Sequence, residues 1–137
     1  MFSKRTEIFT LDDWKEISKV KKGDLIWDGD DFRRVKSKLT HREVPIGYVE
    51  NWDAYGILCS ESTEFLMERG WLKASELEPY EVAKYLQEGE ELQPSLKFRP
   101  TEFVNPLEKL YSLELEEPYN ILVVKLDYRT CLYAKAS

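Results

Sequence analysis

The sequence predicts an all-β fold whose sheet curls on itself. Short runs rich in β-branched, aromatic and aliphatic residues recur along the chain, and Gly, Asp, Asn or Pro turns separate most of them. Only two segments have the apolar spacing of a helix. Many short strands, few helices and regular turns favour a curled sheet over an alternating α/β arrangement.

Turn residues and apolar runs together predict nine strands. The turns Lys22-Gly-Asp24 and Gly29-Asp-Asp31 bound one of them, and the second of these turns predicts a hairpin. The predicted strands cover residues 7–10, 25–28, 32–39, 44–50, 55–60, 65–67, 110–115, 120–126 and 130–133.

A helix, or a single helical turn, is predicted after the first strand. Thr10 and Asp13 are suited to capping it. The apolar residues that recur there at a spacing of three are Leu11, Trp14, Ile17 and Val20.

A second helix is predicted from Glu78 to Gly89, because Pro79 suits the first turn of a helix and glycine suits its end. Residues 93–106 contain three prolines and are expected to be an extended excursion. The helical stripe consists of Val82, Tyr85 and Leu86.

Length and composition indicate one folded domain, residues 1–137, with a core of its own. The net charge of −6 disfavours general binding to nucleic-acid phosphates. An acidic mimic of nucleic acid is a weaker alternative, because Lys and Arg residues are interleaved with the acidic residues along the chain.

With no signal sequence and no apolar run long enough to cross a bilayer, we expect a soluble, cytoplasmic protein. Cys59 and Cys131 are expected to be buried free thiols.

The most specific local pattern lies at residues 59–77. An apolar run ends at Cys59, the polar turn Ser60-Glu-Ser-Thr63 follows, and then come a strand, Gly70-Trp71 and an apolar end at residues 74 and 77. This layout resembles the central motif of the Hint domain, the self-processing fold of inteins and hedgehog C-terminal domains. In that family the turn reads T-x-x-H and its His drives an acyl shift. Here Ser60 and Thr63 stand at those places.

Both ends of the chain extend the resemblance. Counting back from Thr10 and Gly23-Asp-Leu-Ile26 puts the family's nucleophile on or very near Met1. Tyr111-Ser-Leu-Glu-Leu115 and then Tyr119-Asn-Ile-Leu-Val123 resemble the family's Y-x-L-x-V and H-N-F-x-V, so Tyr119 takes the His position. The resemblance implies a Hint-like horseshoe of curled β-strands with one or two short helices.

The family's terminal His-Asn falls on Ala134-Lys135, or one residue later on Lys135-Ala136-Ser137. Neither register supplies the Asn whose amide would cyclise onto its own carbonyl.

The substitutions imply that self-processing is lost. The Met1 thioether has no proton to lose, and no upstream peptide bond is expected. Thr63 cannot replace imidazole as a proton donor near neutral pH, although Ser60 could still donate a hydrogen bond. No catalytic residue is therefore predicted. The degenerate family positions are Met1, Ser60, Thr63, Tyr119 and Lys135.

Structural roles are expected for the same positions. Ser60 is expected to close a turn, and Tyr119 to fill a core gap with its hydroxyl bonded to backbone. His41, the only histidine, is expected in a surface loop far from these positions. No metal-ligand spacing and no phosphate loop is present, so no cofactor is predicted.

Three functions are consistent with these observations. The first is a catalytically inactive Hint-like module that binds a protein or regulates one, with residues 78–106 as the predicted binding surface. By analogy with small free-standing Hint-like proteins, it would be phage-encoded. The second is a residual self-cleaving or hydrolytic enzyme that uses Cys59, Cys131 or Ser60. The third is a structural or assembly component of a virion. The expected partner is a protein in the cytoplasm, which is the host's if the gene belongs to a phage. Oligomeric state is left open.

Overall fold

The structure is a computed structural model that describes residues 1–42, 45–52, 55–83, 95–101, 109–127 and 130–137. Strand makes up 58% of it, which confirms the predicted all-β class. Two 3₁₀ turns, Ile17–Lys19 and Ala74–Glu76, interrupt the strands of this described part. The strands are β1 Phe2–Ser3, β2 Glu7–Thr10, β3 Asp13–Glu16, β4 Leu25–Trp27, β5 Phe32–His41, β6 Ile46–Glu50, β7 Gly56–Ser60, β8 Glu64–Met67, β9 Gly70–Lys73, β10 Glu81–Val82, β11 Ser95–Pro100, β12 Leu110–Leu115, β13 Ile121–Lys125 and β14 Cys131–Lys135.

The strands form one continuous sheet that curls into a half-barrel. Its order is β10-β11-β6-β7-β1-β12-β5-β4-β2-β13-β14-β8-β9, and β3 pairs with β2 beside this path. The start of the chain therefore lies against its last third. Phe2 pairs with Tyr111, and Ile8 pairs with Val124.

The inner face of the curled sheet holds the core. Side chains from strands far apart in sequence meet there and are fully shielded from water, and Phe2 packs edge-on against Phe65 with ring centroids 6.3 Å apart. Burial of this apolar surface is the main force that closes the sheet. Among the largest fully buried side chains are Phe2, Ile8, Phe65, Leu113, Leu122 and Leu132.

The first predicted helix is wrong over most of its length. Asp13–Glu16 is strand β3, and only Ile17–Lys19 forms a 3₁₀ turn. The Thr10 hydroxyl accepts from the Asp12 N–H (3.1 Å) and donates to the Asp13 carbonyl (2.7 Å). Thr10 thus stabilises the hairpin turn between β2 and β3 and caps no helix. Cross-strand pairing of Trp14 with Phe9 outweighed the local helical spacing.

The second predicted helix is wrong where the structure describes it. Glu81–Val82 is strand β10, and Ala83 forms a bridge to Met67. Strand β11, Ser95–Pro100, occupies part of the predicted excursion and pairs with both β10 and β6. The rest of this prediction, including Tyr85, Leu86, Gly89 and Pro106, lies outside the described residues.

Two smaller expectations also need correction. His41 ends strand β5, where its Nε2 lies 2.8 Å from the buried Ser112 hydroxyl, so it is not in a loop. Cys59 is buried, but Cys131 is only half-buried, because it opens β14 on a partly exposed face. In the described ranges, no helix is long and apolar enough to cross a membrane.

Candidate functional site

The polar turn after β7 holds the first residue of the sequence. Thr63 N–H donates to the Ser60 carbonyl (3.1 Å) and closes the turn. Ser60 N–H donates to the Met1 carbonyl (3.0 Å). Strand β1 continues from Met1 along β7, where Phe2 pairs with Cys59. Met1, Ser60 and Thr63, which were assigned separately from the sequence, are thus in direct contact.

The Thr63 hydroxyl is the centre of this group. Its Oγ1 accepts from the Met1 amino nitrogen at 3.0 Å, donates to the Met1 carbonyl at 3.0 Å and lies 2.8 Å from Ser60 Oγ. Ser60 Oγ also lies 3.2 Å from Ser62 Oγ. Thr63 and Ser60 are 2% and 1% exposed. Both hydroxyls are therefore satisfied by neighbours and shielded from water.

Burial sets the protonation of the two ionisable groups here. It lowers the pKa of the Met1 amino group from 8.0 to about 6, although the charge of Cys59 opposes the shift. It raises the pKa of the Cys59 thiol to about 12, against the effects of the amino group and of a hydrogen bond with Thr63. A buried thiol that stays protonated is a poor nucleophile, because the thiolate is the reactive form.

Tyr119 lies on the surface, so the expectation that it fills a core gap is wrong. It follows the turn after β12, its N–H donates to the Glu116 carbonyl (3.0 Å), and it is 38% exposed. The guanidinium carbon of Arg33 sits 3.5 Å from its ring centroid. The turn directs Tyr119 onto Arg33, which salt-bridges Asp28 at 2.7 Å. The Tyr119 ring therefore packs on the guanidinium of Arg33 at the surface and not against the core.

The C-terminal positions have different neighbours. Lys135 Nζ sits 4.3 Å from the centroid of the Trp71 ring. Ala136 is fully buried; its N–H donates to the Asn120 carbonyl (3.0 Å), and its carbonyl accepts from the Leu113 N–H (2.8 Å). Neither Lys135 nor Tyr119 touches the Met1–Thr63 group in the described contacts.

Asn120 was missed as a structural residue. Its side-chain Oδ1 accepts from both the N–H (3.1 Å) and the hydroxyl (3.0 Å) of Ser137. Together with the Ala136 bond, this ties the end of the chain to the start of β13. An Asn after a Pro-containing turn was the available signal, since Asn side chains commonly bond nearby backbone at such places.

Pairing of β14 with β8 brings the C-terminal family positions beside the central motif at residues 59–77. Ala134 pairs with Phe65, two residues after Thr63. The C-terminal strand therefore runs beside the strand that leaves the Ser60–Thr63 turn. Across the parts of the chain that the structure describes, no three His, Cys, Asp or Glu side chains group closely enough to hold a metal ion.

Solved structures share this arrangement over nearly the whole chain, whereas no model of a protein family and no curated protein matches it. A bacterial intein-like domain from Clostridium thermocellum superposes with a TM-score of 0.80 at 12% identity, covering 98% of this chain and 96% of that one. The gp41-1 intein gives 0.74 at 17% identity, covering 99% and 97%. A DnaB intein from Synechocystis sp. PCC 6803 gives 0.73 at 15% identity, covering 99% and 97%.

Identities this low establish the architecture alone. The curled sheet of this chain agrees with its superposition on these solved structures over nearly their full length. The chain therefore has the Hint-like fold of inteins and intein-like domains.

Proposed function

We propose that this domain is a catalytically inactive Hint-like module that works by binding another protein. The observation that carries the proposal is the state of the Thr63 hydroxyl. At the place where the family resemblance expects an imidazole, Thr63 Oγ1 meets the Met1 amino nitrogen at 3.0 Å. A threonine hydroxyl has no accessible pKa near neutrality and cannot protonate a leaving nitrogen as imidazole does.

The available nucleophiles also favour inactivity. The Cys59 thiol is fully buried and its pKa is raised to about 12. The Ser60 hydroxyl contacts only other hydroxyls in the described part of the chain, so it lacks the adjacent base that serine nucleophiles need. Lys135 and Ala136 carry no side-chain amide with which to cleave the chain at its end.

Inactivity is tested by placing the chain between two folded carrier proteins. Intact mass is measured over several days at neutral and mildly alkaline pH, with and without a thiol. We expect the fusion to keep its mass. The gp41-1 intein between the same carriers is the positive control. A product cut at either junction would revive the self-cleaving or hydrolytic alternative.

A surface for protein binding is suggested by Trp52 and Tyr80. Trp52 is 69% exposed, and its ring stacks on Tyr80 with centroids 3.3 Å apart and planes 3° apart. Exposed Trp and Tyr are enriched where binding energy concentrates. Tyr80 belongs to residues 78–106, the segment predicted to bind a partner, and Trp52 stacks on it from outside; much of that segment lies outside the described residues.

Binding is tested by affinity capture from extract of the native host, with Trp52→Ser compared with Leu39→Ser. Leu39 is also exposed, at 43%, and is the matched control on strand β5. We expect one partner to be recovered with wild type and Leu39→Ser and to be lost with Trp52→Ser. Equal recovery with both variants would contradict this surface. A phage origin and the virion-component alternative rest on analogy, and a defined oligomer in light scattering would favour the latter. A cytoplasmic location stays a prediction from the sequence.

A further inference from the structure

A second feature lies on the face of the sheet opposite the core. A cavity of about 330 Å³ is lined by the aromatic side chains of Phe9, Trp14, Trp27 and Tyr133 and by Cys131. These residues are called the aromatic cavity below. All five are half-buried, so the cavity opens to water.

Strand register assembles the cavity. Phe9 pairs with Trp14 across β2 and β3, and their rings meet edge to face with centroids 5.1 Å apart. Ile8 and Thr10, on either side of Phe9, are buried, so Phe9 points to the other face of the sheet. Tyr133 comes from β14.

Glycine at position 29 makes room for Tyr133. A Cβ atom there would lie 2.5 Å from the Tyr133 hydroxyl oxygen and closer still to the ring. The turn after β4 can therefore approach Tyr133 only without a side chain. This close approach completes the wall of the cavity beside Trp27.

Acidic residues in two turns adjoin the cavity residues in sequence and are called the acidic rim. None of the side chains that line the cavity is charged. The two turns that adjoin Trp14 and Trp27 carry Asp12, Asp13, Asp28, Asp30 and Asp31. Arg33 pairs with Asp28 at 2.7 Å and with Asp30 at 3.6 Å, but no cation among the described residues pairs with Asp12 or Asp13.

One cation already lies against an outer ring of the cavity. Lys125 Nζ is 5.7 Å from the Trp14 ring centroid and 3.5 Å from Glu7 Oε2, which balances its charge. Aromatic faces attract cations through the ring quadrupole, and the attraction strengthens where water is excluded. The acidic rim in the two adjoining turns adds to the attraction of a cation to these rings.

We propose that the aromatic cavity binds a trimethylammonium group. A primary ammonium would lose hydrogen bonds to water, and among the lining side chains the Tyr133 hydroxyl and the Cys131 sulfur are the acceptors that could replace them. A trimethylammonium group has no hydrogen-bond donor, so it can enter an apolar cavity without losing hydrogen bonds to water. Its positive charge is still attracted to the faces of the aromatic rings. A neutral group of the same shape would gain nothing from the acidic rim. The site shares no residue with the Met1–Thr63 group and stands whether or not the domain cleaves itself.

Calorimetric titration with choline tests the proposal on the full chain, beside its neutral isostere 3,3-dimethylbutan-1-ol and beside ethanolamine. We expect saturable binding of choline and about tenfold weaker binding of the other two. Trp27→Leu is expected to weaken choline binding by about tenfold, and Trp71→Leu, at a half-buried ring outside the cavity, to leave it unchanged.

A variant of the rim keeps the test decisive if Trp27→Leu does not fold. Asp12→Asn combined with Asp13→Asn changes only exposed carboxylates and is expected to weaken choline binding severalfold while leaving the far-UV spectrum unchanged. A peptide with one trimethyllysine, compared with its unmodified form, distinguishes a side chain from a free small molecule as the source of the group.

Three results would overturn the proposal: binding of the isostere as tight as that of choline, an equal loss with Trp71→Leu, or no saturation of wild type up to about 100 mM choline. None of them bears on the cleavage test of the fusion protein, so the two proposals fail separately.

Discussion

Replacing Gly29 with alanine tests the close approach of the β4–β5 turn to Tyr133. Gly29 has φ +97°, in the left-handed region, and an added Cβ would overlap the Tyr133 ring. Gly23 is a matched control, because it has φ +92° but no atom within 4 Å of an added Cβ. Both variants carry the backbone strain, and only Gly29→Ala carries the overlap.

The free energies of unfolding can be compared directly. A side chain in left-handed backbone costs about 1–2 kcal/mol, partly offset by about 0.4–1 kcal/mol from the stiffer unfolded chain. Displacing the Tyr133 ring adds about 1–3 kcal/mol at Gly29 alone. We therefore expect Gly23→Ala to lose about 1 kcal/mol and Gly29→Ala about 2–4 kcal/mol.

Urea denaturation followed by tryptophan fluorescence measures both losses, with the denaturant slope expected to stay unchanged. In a Tyr133→Leu background the overlapping ring atoms are absent, so the loss from Gly29→Ala should fall to that of Gly23→Ala. If the two glycine variants lose the same free energy within about 0.5 kcal/mol in the wild-type background, the overlap argument is refuted.

Three further outcomes are expected. Thr63→Val should lower the free energy of unfolding by about 1–3 kcal/mol, since the buried hydroxyl makes three polar contacts. Thr63→Ser keeps the hydroxyl and should lower it by about 1 kcal/mol or less. Equal losses in urea titrations would contradict this reasoning. Burial works to raise the pKa of Asp28, but hydrogen bonds from Arg33 and from the turn hold that pKa below its ordinary 3.8. The stability that ionised Asp28 contributes is therefore complete above about pH 4 and is lost as pH falls through the pKa of the folded state. Asp28→Asn should flatten the dependence of thermal stability on pH in that acid window. A thiol reagent should label Cys131 in the native protein and Cys59 only after unfolding, as peptide mass mapping would report; early labelling of Cys59 would show that it is accessible.

Strand positions were largely predictable because they depend on local alternation and turn residues. Residues 110–115 were predicted with the bounds of β12, and Gly29 marked a true hairpin turn. The helix predictions failed where pairing with a distant strand satisfied the backbone. Glu81 pairs with Leu96, for example, and nothing in the local sequence announces that partner.

The candidate site was predictable to a similar degree. Met1, Ser60 and Thr63 were assigned from the family resemblance, and the structure places them within hydrogen-bonding distance. Tyr119 was misplaced because sequence cannot tell whether an aromatic residue after a turn points inward. Its exposed position depends on Arg33, more than eighty residues earlier in the chain.

Local chemistry was sufficient for the strand pattern, the turns and the types of residue at the family positions, because alternation, glycine conformation and the functional group of each side chain are properties of short segments. Contacts over long sequence distances required the folded chain. The Met1–Thr63 bond spans 62 positions, and the aromatic cavity draws on strands at both ends of the sequence. Such contacts form only when burial of the inner face closes the sheet, so the fold alone determines which aromatic residues are left to line a cavity on its outer face.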